Sequence, residues 1–155
     1  TIGIGCCLND PIIKKEAIQL LTQYKREIIQ ALNWFSHSKD HVITGNGYVI
    51  INAGSAVRET MIGTLASVIS KSNFYEQKTL ILSLAYTLDG QIKISIRSVN
   101  NKDIDLRYVI SSIIESVGGI CGGHYSAAGA LISQEKEKEF ITVATQVLDQ
   151  LSILK

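Results

Sequence analysis

Glycine and alanine dominate the run Gly118-Gly119-Ile120-Cys121-Gly122-Gly123-His124-Tyr125-Ser126-Ala127-Ala128-Gly129. Such a backbone is costly in conformational entropy unless its path demands it. It also lets a ligand come close, and successive amide N–H groups can form an anion-binding concavity. His124 adds a donor or a cation at the rim. Small residues on both sides clear space around that one polar side chain. A second place is Gln91 to Arg97, where Ile92, Ile94 and Ile96 alternate with Lys93, Ser95 and Arg97. A period of two puts lysine, serine and arginine on one face of a strand. That face is either a solvated sheet surface or the wall of an anion site.

At these residues the sequence resembles a known family. Gly122-Gly123-His124-Tyr125-Ser126-Ala127-Ala128-Gly129 resembles the GGHxxAAG signature of the DHH-associated domain, the substrate-binding C-terminal half of RecJ nucleases and small-oligonucleotide phosphodiesterases. Ser95-Ile96-Arg97-Ser98 resembles that family's SxRS strand end, with Asp105-Leu106 following. Ile62-Gly63-Thr64-Leu65-Ala66-Ser67 resembles the helix of RecJ-type members. The resemblance covers about residues 46–155. It implies that Gly122, Gly123 and His124 hold a backbone phosphate with Arg97 beside them, and that Ser95 and Ser98 belong to the same nucleic-acid site. It further implies single-stranded nucleic acid, DNA above all, as ligand. RecJ-like proteins without activity accompany GINS and the replicative helicase, so GINS-like proteins are the implied partners.

The catalytic half of such enzymes holds two divalent metals, and a two-metal clamp needs several ligands together. Here Asp40-His41 is followed by Val42 rather than a second histidine, and Asp103-Ile104-Asp105 reads as a helix cap. The three histidines are scattered at 37, 41 and 124. The expectation is a non-catalytic module with no metal and no cofactor. Two alternatives stay open: the excised substrate-binding half of an active DHH-family exonuclease or phosphodiesterase, and the C-terminal module of an alanyl-tRNA synthetase. The helix Ile62 to Ser67 speaks against the second.

The elements that must position these residues follow from local chemistry. Asp10-Pro11 opens a long helix with an N-cap carboxylate and a proline at the first helical position. Its apolar residues recur at helical spacing from Ile13 to Phe35. A polar stretch and the Gly45-Asn46-Gly47 turn separate this linker segment, 1–45, from the main domain, 46–155. Strands are expected at Tyr48 to Ala53, Thr79 to Ala85, Gln91 to Arg97 and Ala127 to Ile132. Leu88-Asp89-Gly90 is a hairpin turn between the second and third. Helices are expected from Arg58 to Lys71, from Asp105 to the Gly118-Gly119 stop, and from Gln134 to Leu151. The reading is an α/β domain with a mixed sheet of four to five strands flanked by helices.

Composition agrees. A chain of 155 residues, 46% hydrophobic and 19% charged, has the makings of one compact domain. A net charge of +1 gives no global pull toward nucleic acid, so an anion site must be local. Cys6, Cys7 and Cys121 form no metal or disulfide pattern and read as reduced thiols. No apolar run approaches the ~20 residues of a membrane span, and the expected location is the cytoplasm. The chain begins at Thr1, which fits a trimmed leader or numbering that starts inside a longer polypeptide.

Overall fold

The computed structural model describes residues 7, 10–101 and 103–153. In chain order the elements are helix α1 (Pro11–His37), strands β1 (Val42–Gly45) and β2 (Tyr48–Asn52), helix α2 (Glu59–Lys71), strands β3 (Leu80–Tyr86) and β4 (Gln91–Ser98), helix α3 (Leu106–Val117), strands β5 (Ile120–His124) and β6 (Ala127–Ser133), and helix α4 (Glu137–Ile153). The six strands form one sheet in the order β1-β2-β3-β4-β6-β5. Only β2 and β3 run parallel, joined by α2 as a crossover; every other pair is antiparallel.

The caps are built as their residues dictate. The Asp10 carboxylate accepts from the Ile12 and Ile13 amides, Asp105 accepts from Arg107 N, and Gly118 ends α3 at φ 84°. Gly90 turns the β3–β4 hairpin at φ 76°, a left-handed conformation that glycine adopts without strain.

The sheet is a six-stranded one, not the expected four to five. The two extra strands are its edges, β1 and β5. The first spans four residues just before the Gly45-Asn46-Gly47 turn. The second lies within the glycine-rich run and is mostly exposed. An edge strand with few side chains to bury carries no alternation of apolar and polar residues, which is the pattern by which strands are recognised.

Layering follows from side-chain parity. One sheet face, with Ile50, Leu82, Ile94, Ala130 and their neighbours, packs beneath α3 and α4. The other, with Val49, Ile51, Ile81 and Ala85, packs beneath α2 and the C-terminal half of α1 through Ala31 and Phe35. Further toward its N-terminus α1 exposes Ile18, Leu20, Leu21 and Tyr24. Among the described residues no helix is long and apolar enough to cross a membrane. Cys7 and Cys121 are unbridged.

Two phenols tie α4 to the sheet. Tyr86 donates to the Glu137 carboxylate at 2.6 Å and Tyr48 to Asp149 at 2.9 Å. The bond to Glu137, then burial, raises the Tyr86 pKa; burial, then the bond to Asp149, raises that of Tyr48. A phenol that ionises less readily when folded stabilises the fold fully below the ordinary phenol pKa, and the contribution disappears as pH rises through the raised value. Urea midpoints should therefore hold steady to about pH 10 and fall above it, and Tyr86→Phe should flatten that fall. A fall of unchanged steepness in the variant would show that Tyr86 is not its source.

Candidate functional site

The hydrogen-bond register decides which candidate residues share a face. Directly paired residues in antiparallel strands point to the same side. Ser95 pairs with Gly129, and Gly129 with Gly122. One step along the same register Arg97 stands opposite Ala127, which pairs with His124. Arg97, His124 and Gly122 are thus on one face, the α2 face. Arg97 and His124 are two strand spacings apart, about 10 Å between backbones. Gly123 has the opposite parity.

Arg97 is held on three sides. Its Nε donates to Ser67 Oγ at 3.0 Å, and its Nη1 donates to the carbonyls of Ile96 at 2.7 Å and Ala128 at 3.4 Å. Ser67 in turn donates to Gly63 O, one helical turn earlier. Gly63 lies where α2 crosses β4, and a methyl there would make ordinary contacts, 3.5 Å from Ser95 Oγ and 3.7 Å from Arg97 Nη2. Burial pushes the guanidinium below its ordinary pKa, and among the described ion pairs none involves Arg97. A half-buried cation without a carboxylate partner is a standing attraction for an external anion.

An open cleft of about 400 Å³ lies over this arginine. Lys71 stands at its wall, Ser70, Ser98 and Ser126 join the lining, and among the described residues no acidic one does. The Ser98 hydroxyl donates to Asn101 O. Ser95, expected beside the ligand, is 5% exposed beneath α2 and absent from the cleft lining. The strand face expected to be polar and open is covered there, because α2 packs across β4. Gly122, Gly123 and His124 line β5 beyond the cleft and are exposed. Sequence reasoning passed over Ser67 and Lys71. The signal for Ser67 lay in its position four residues after Gly63, which places both on one helix side.

The glycines divide into two kinds. Gly123 has φ 138°, and a Cβ there would lie 2.5 Å from Ala127 O; a Cβ on Gly129 would lie 2.6 Å from Ile94 O. The backbone itself demands glycine at both. Gly122 is neither left-handed nor crowded, and a Cβ there would meet nothing within 4 Å. Nothing in the fold requires it to be glycine.

A larger cleft of about 730 Å³ separates α1 from the start of α2, with Arg26 and Arg58 in its lining. Arg58 is already paired with Glu27 at 3.2 Å. Among the described residues no group of three or more histidine, cysteine or acidic side chains is placed to hold a metal ion.

The DHHA1 domain model matches residues 46–150. This chain belongs to the DHHA1 domain family. An uncharacterized protein of Methanocaldococcus jannaschii is 29% identical over 153 residues, 96% of this chain and 31% of that protein. RecJ of Thermus thermophilus, solved with Mg²⁺, superposes with a TM-score of 0.64 at 16% identity, over 89% of this chain and 20% of its own. The C-Ala domain of Aquifex aeolicus alanyl-tRNA synthetase superposes with a TM-score of 0.56 at 14% identity, over 69% of this chain and 96% of that domain. At such identities the two structures share the fold with this DHHA1 domain. The chain spans about a third or less of the M. jannaschii relative and of RecJ.

Proposed function

We propose that this DHHA1 domain grips the backbone of single-stranded nucleic acid without cutting it. The observation that carries the reading is Arg97: half-buried, fixed by Ser67 and two carbonyls, without an acidic partner among the described residues, and set in a cleft whose described lining contains Lys71 and no carboxylate. A phosphate there meets the guanidinium from the cleft side, and the β5 amides around Gly122 and Gly123, with His124, take its neighbour. Few phosphates are neutralised, so affinity is weak. Anisotropy titrations of a labelled single-stranded oligonucleotide should give a salt slope of about −0.7 to −2, equivalent to one to three neutralised phosphates. With magnesium or manganese the oligonucleotide should be recovered uncut. A steep slope, or binding indifferent to Arg97→Ala, would remove the reading.

A grip this weak acts when a bound partner raises its effective concentration, to roughly millimolar for a short tether. The uncovered stripe Ile18, Leu20, Leu21 and Tyr24 on α1 is the surface offered for docking. The proposed setting is the cytoplasmic replication machinery, with GINS-like subunits on α1 and, through them, the replicative helicase. The tagged protein purified from its own cells should bring replication proteins with it; recovery alone at low salt would remove the partner. A second reading, the substrate-gripping part of a DHH-family exonuclease or phosphodiesterase, is supported by the small share of the relatives' lengths that the match spans. In it, the same Arg97 cleft holds the strand for a catalytic domain.

A further inference from the structure

The α2 face of the sheet is only partly roofed. Helix α2 covers β3 and β4, whereas the same face of β6 is only half-covered and that of β5 is left open: Ile120 is 75% exposed, and Gly122 and His124 are exposed. The opposite face of β6 is shut, with Ala128, Ala130 and Ile132 buried. Register divides the open shelf into rows. Arg97, Ala127 and His124 form the cationic row. Ser95, Gly129 and Gly122 form the next, about 7 Å along the strands. Lys93, Leu131 and Ile120 form the third, about 14 Å from the first.

On β6 and β5 the chemistry changes along these rows in one direction. The first attracts an anion, the second has no side chain standing on β6 or β5, and the third sets a half-buried leucine beside an exposed isoleucine, with the exposed Lys93 at its β4 end. Inorganic phosphate fits the first row, or the Lys93 end of the third, and leaves the Leu131–Ile120 pair uncovered. An extended ligand with an anionic end, a slim middle and a flat apolar end fits all three. We infer that Ile120 and Leu131 form a nucleobase subsite: the phosphate sits in the Arg97 row, the sugar passes over Gly122 and Gly129, and a base lies on the Ile120–Leu131 pair. The inference rests on the phosphate-gripping reading and extends it from backbone to base. The contact is apolar, with no hydrogen-bonding side chain of β5 or β6 in the third row to read a base edge, so it favours the presence of a base over any particular base.

The test compares two single-stranded oligonucleotides of equal length, one carrying bases and one abasic throughout. Binding of each is measured to the unaltered chain, to Ile120→Ser and to Arg97→Ala. Ile120 is exposed, so its substitution should leave thermal stability unchanged. The base-bearing strand should bind the unaltered chain about five- to tenfold more tightly than the abasic one. Ile120→Ser should abolish that preference by weakening the base-bearing strand alone. Arg97→Ala should weaken both strands alike. Equal binding of the two strands, or a preference that survives Ile120→Ser, overturns the nucleobase subsite and leaves the phosphate grip standing. Failure of both strands to bind, or binding indifferent to Arg97→Ala, overturns the grip and the subsite together.

Discussion

Gly123→Ala is expected to cost about 3–5 kcal/mol of stability and to lower Tm by about 10 °C. A side chain at φ 138° is strained in itself, and its Cβ would stand 2.5 Å from Ala127 O and 2.6 Å from Ala128 Cα, both backbone atoms of the paired strand. The β5–β6 hairpin must open to admit it. The neighbouring Gly122→Ala should change stability by less than about 0.5 kcal/mol, because its methyl enters open space. The same methyl stands where a bound strand must approach the β5 amides, so Gly122→Ala should weaken oligonucleotide binding about tenfold. Thermal melts and anisotropy titrations of the two variants separate a glycine required by the fold from one left open for a ligand. If Gly122→Ala binds as the unaltered chain does, the open space over β5 serves no ligand.

Arg97→Ala carries the second large effect, expected on affinity. Hydrogen bonds to a charged group contribute about 1.5–3 kcal/mol, so the loss should be on the order of 10- to 100-fold, the same for every base sequence. Arg97→Lys should recover part of it. A lysine keeps the charge but cannot hold Ser67 Oγ and the Ile96 and Ala128 carbonyls in the planar fork that aims the guanidinium. Full recovery by lysine would show that charge alone matters and that the Ser67 brace does not. A stability loss in Arg97→Ala without an affinity loss would make the residue a link between α2 and β6 and nothing more.

Much of the fold is legible in single residues. Asp10-Pro11 and Asp105 cap helices because a carboxylate meets unpaired amides there. Gly90 and Gly118 mark a turn and a helix stop because their backbone is left-handed. The buried strands show in their isoleucines. The edge strands β1 and β5 were hidden for the converse reason: with little to bury, their residues alternate between no two environments. Of the site, Arg97 was legible twice over, from alternation and from the SxRS match. Ser95 carried the same two signals and is nonetheless sealed under α2, because parity fixes a face while only packing decides whether it is roofed. Ser67 lies thirty residues from Arg97 in sequence, so its role depends on how α2 crosses the sheet. The distinction between Gly122 and its neighbours is likewise tertiary, since it depends on what stands above each Cα.

The central claim is that nucleic acid sits on the α2 face, between Arg97 and β5, and nowhere else. Amide and arginine-side-chain shifts of the ¹⁵N-labelled chain, followed during titration with a short single-stranded oligonucleotide, test it most directly. The largest changes should fall on Gly122, Gly123, Ser126, Ala127 and the Arg97 Nε–H, with α3 and α4 quiet. Changes centred on Arg26, Arg58 and the first turn of α2 would move the ligand to the larger cleft and contradict the claim, as would a spectrum that saturating oligonucleotide leaves unmoved.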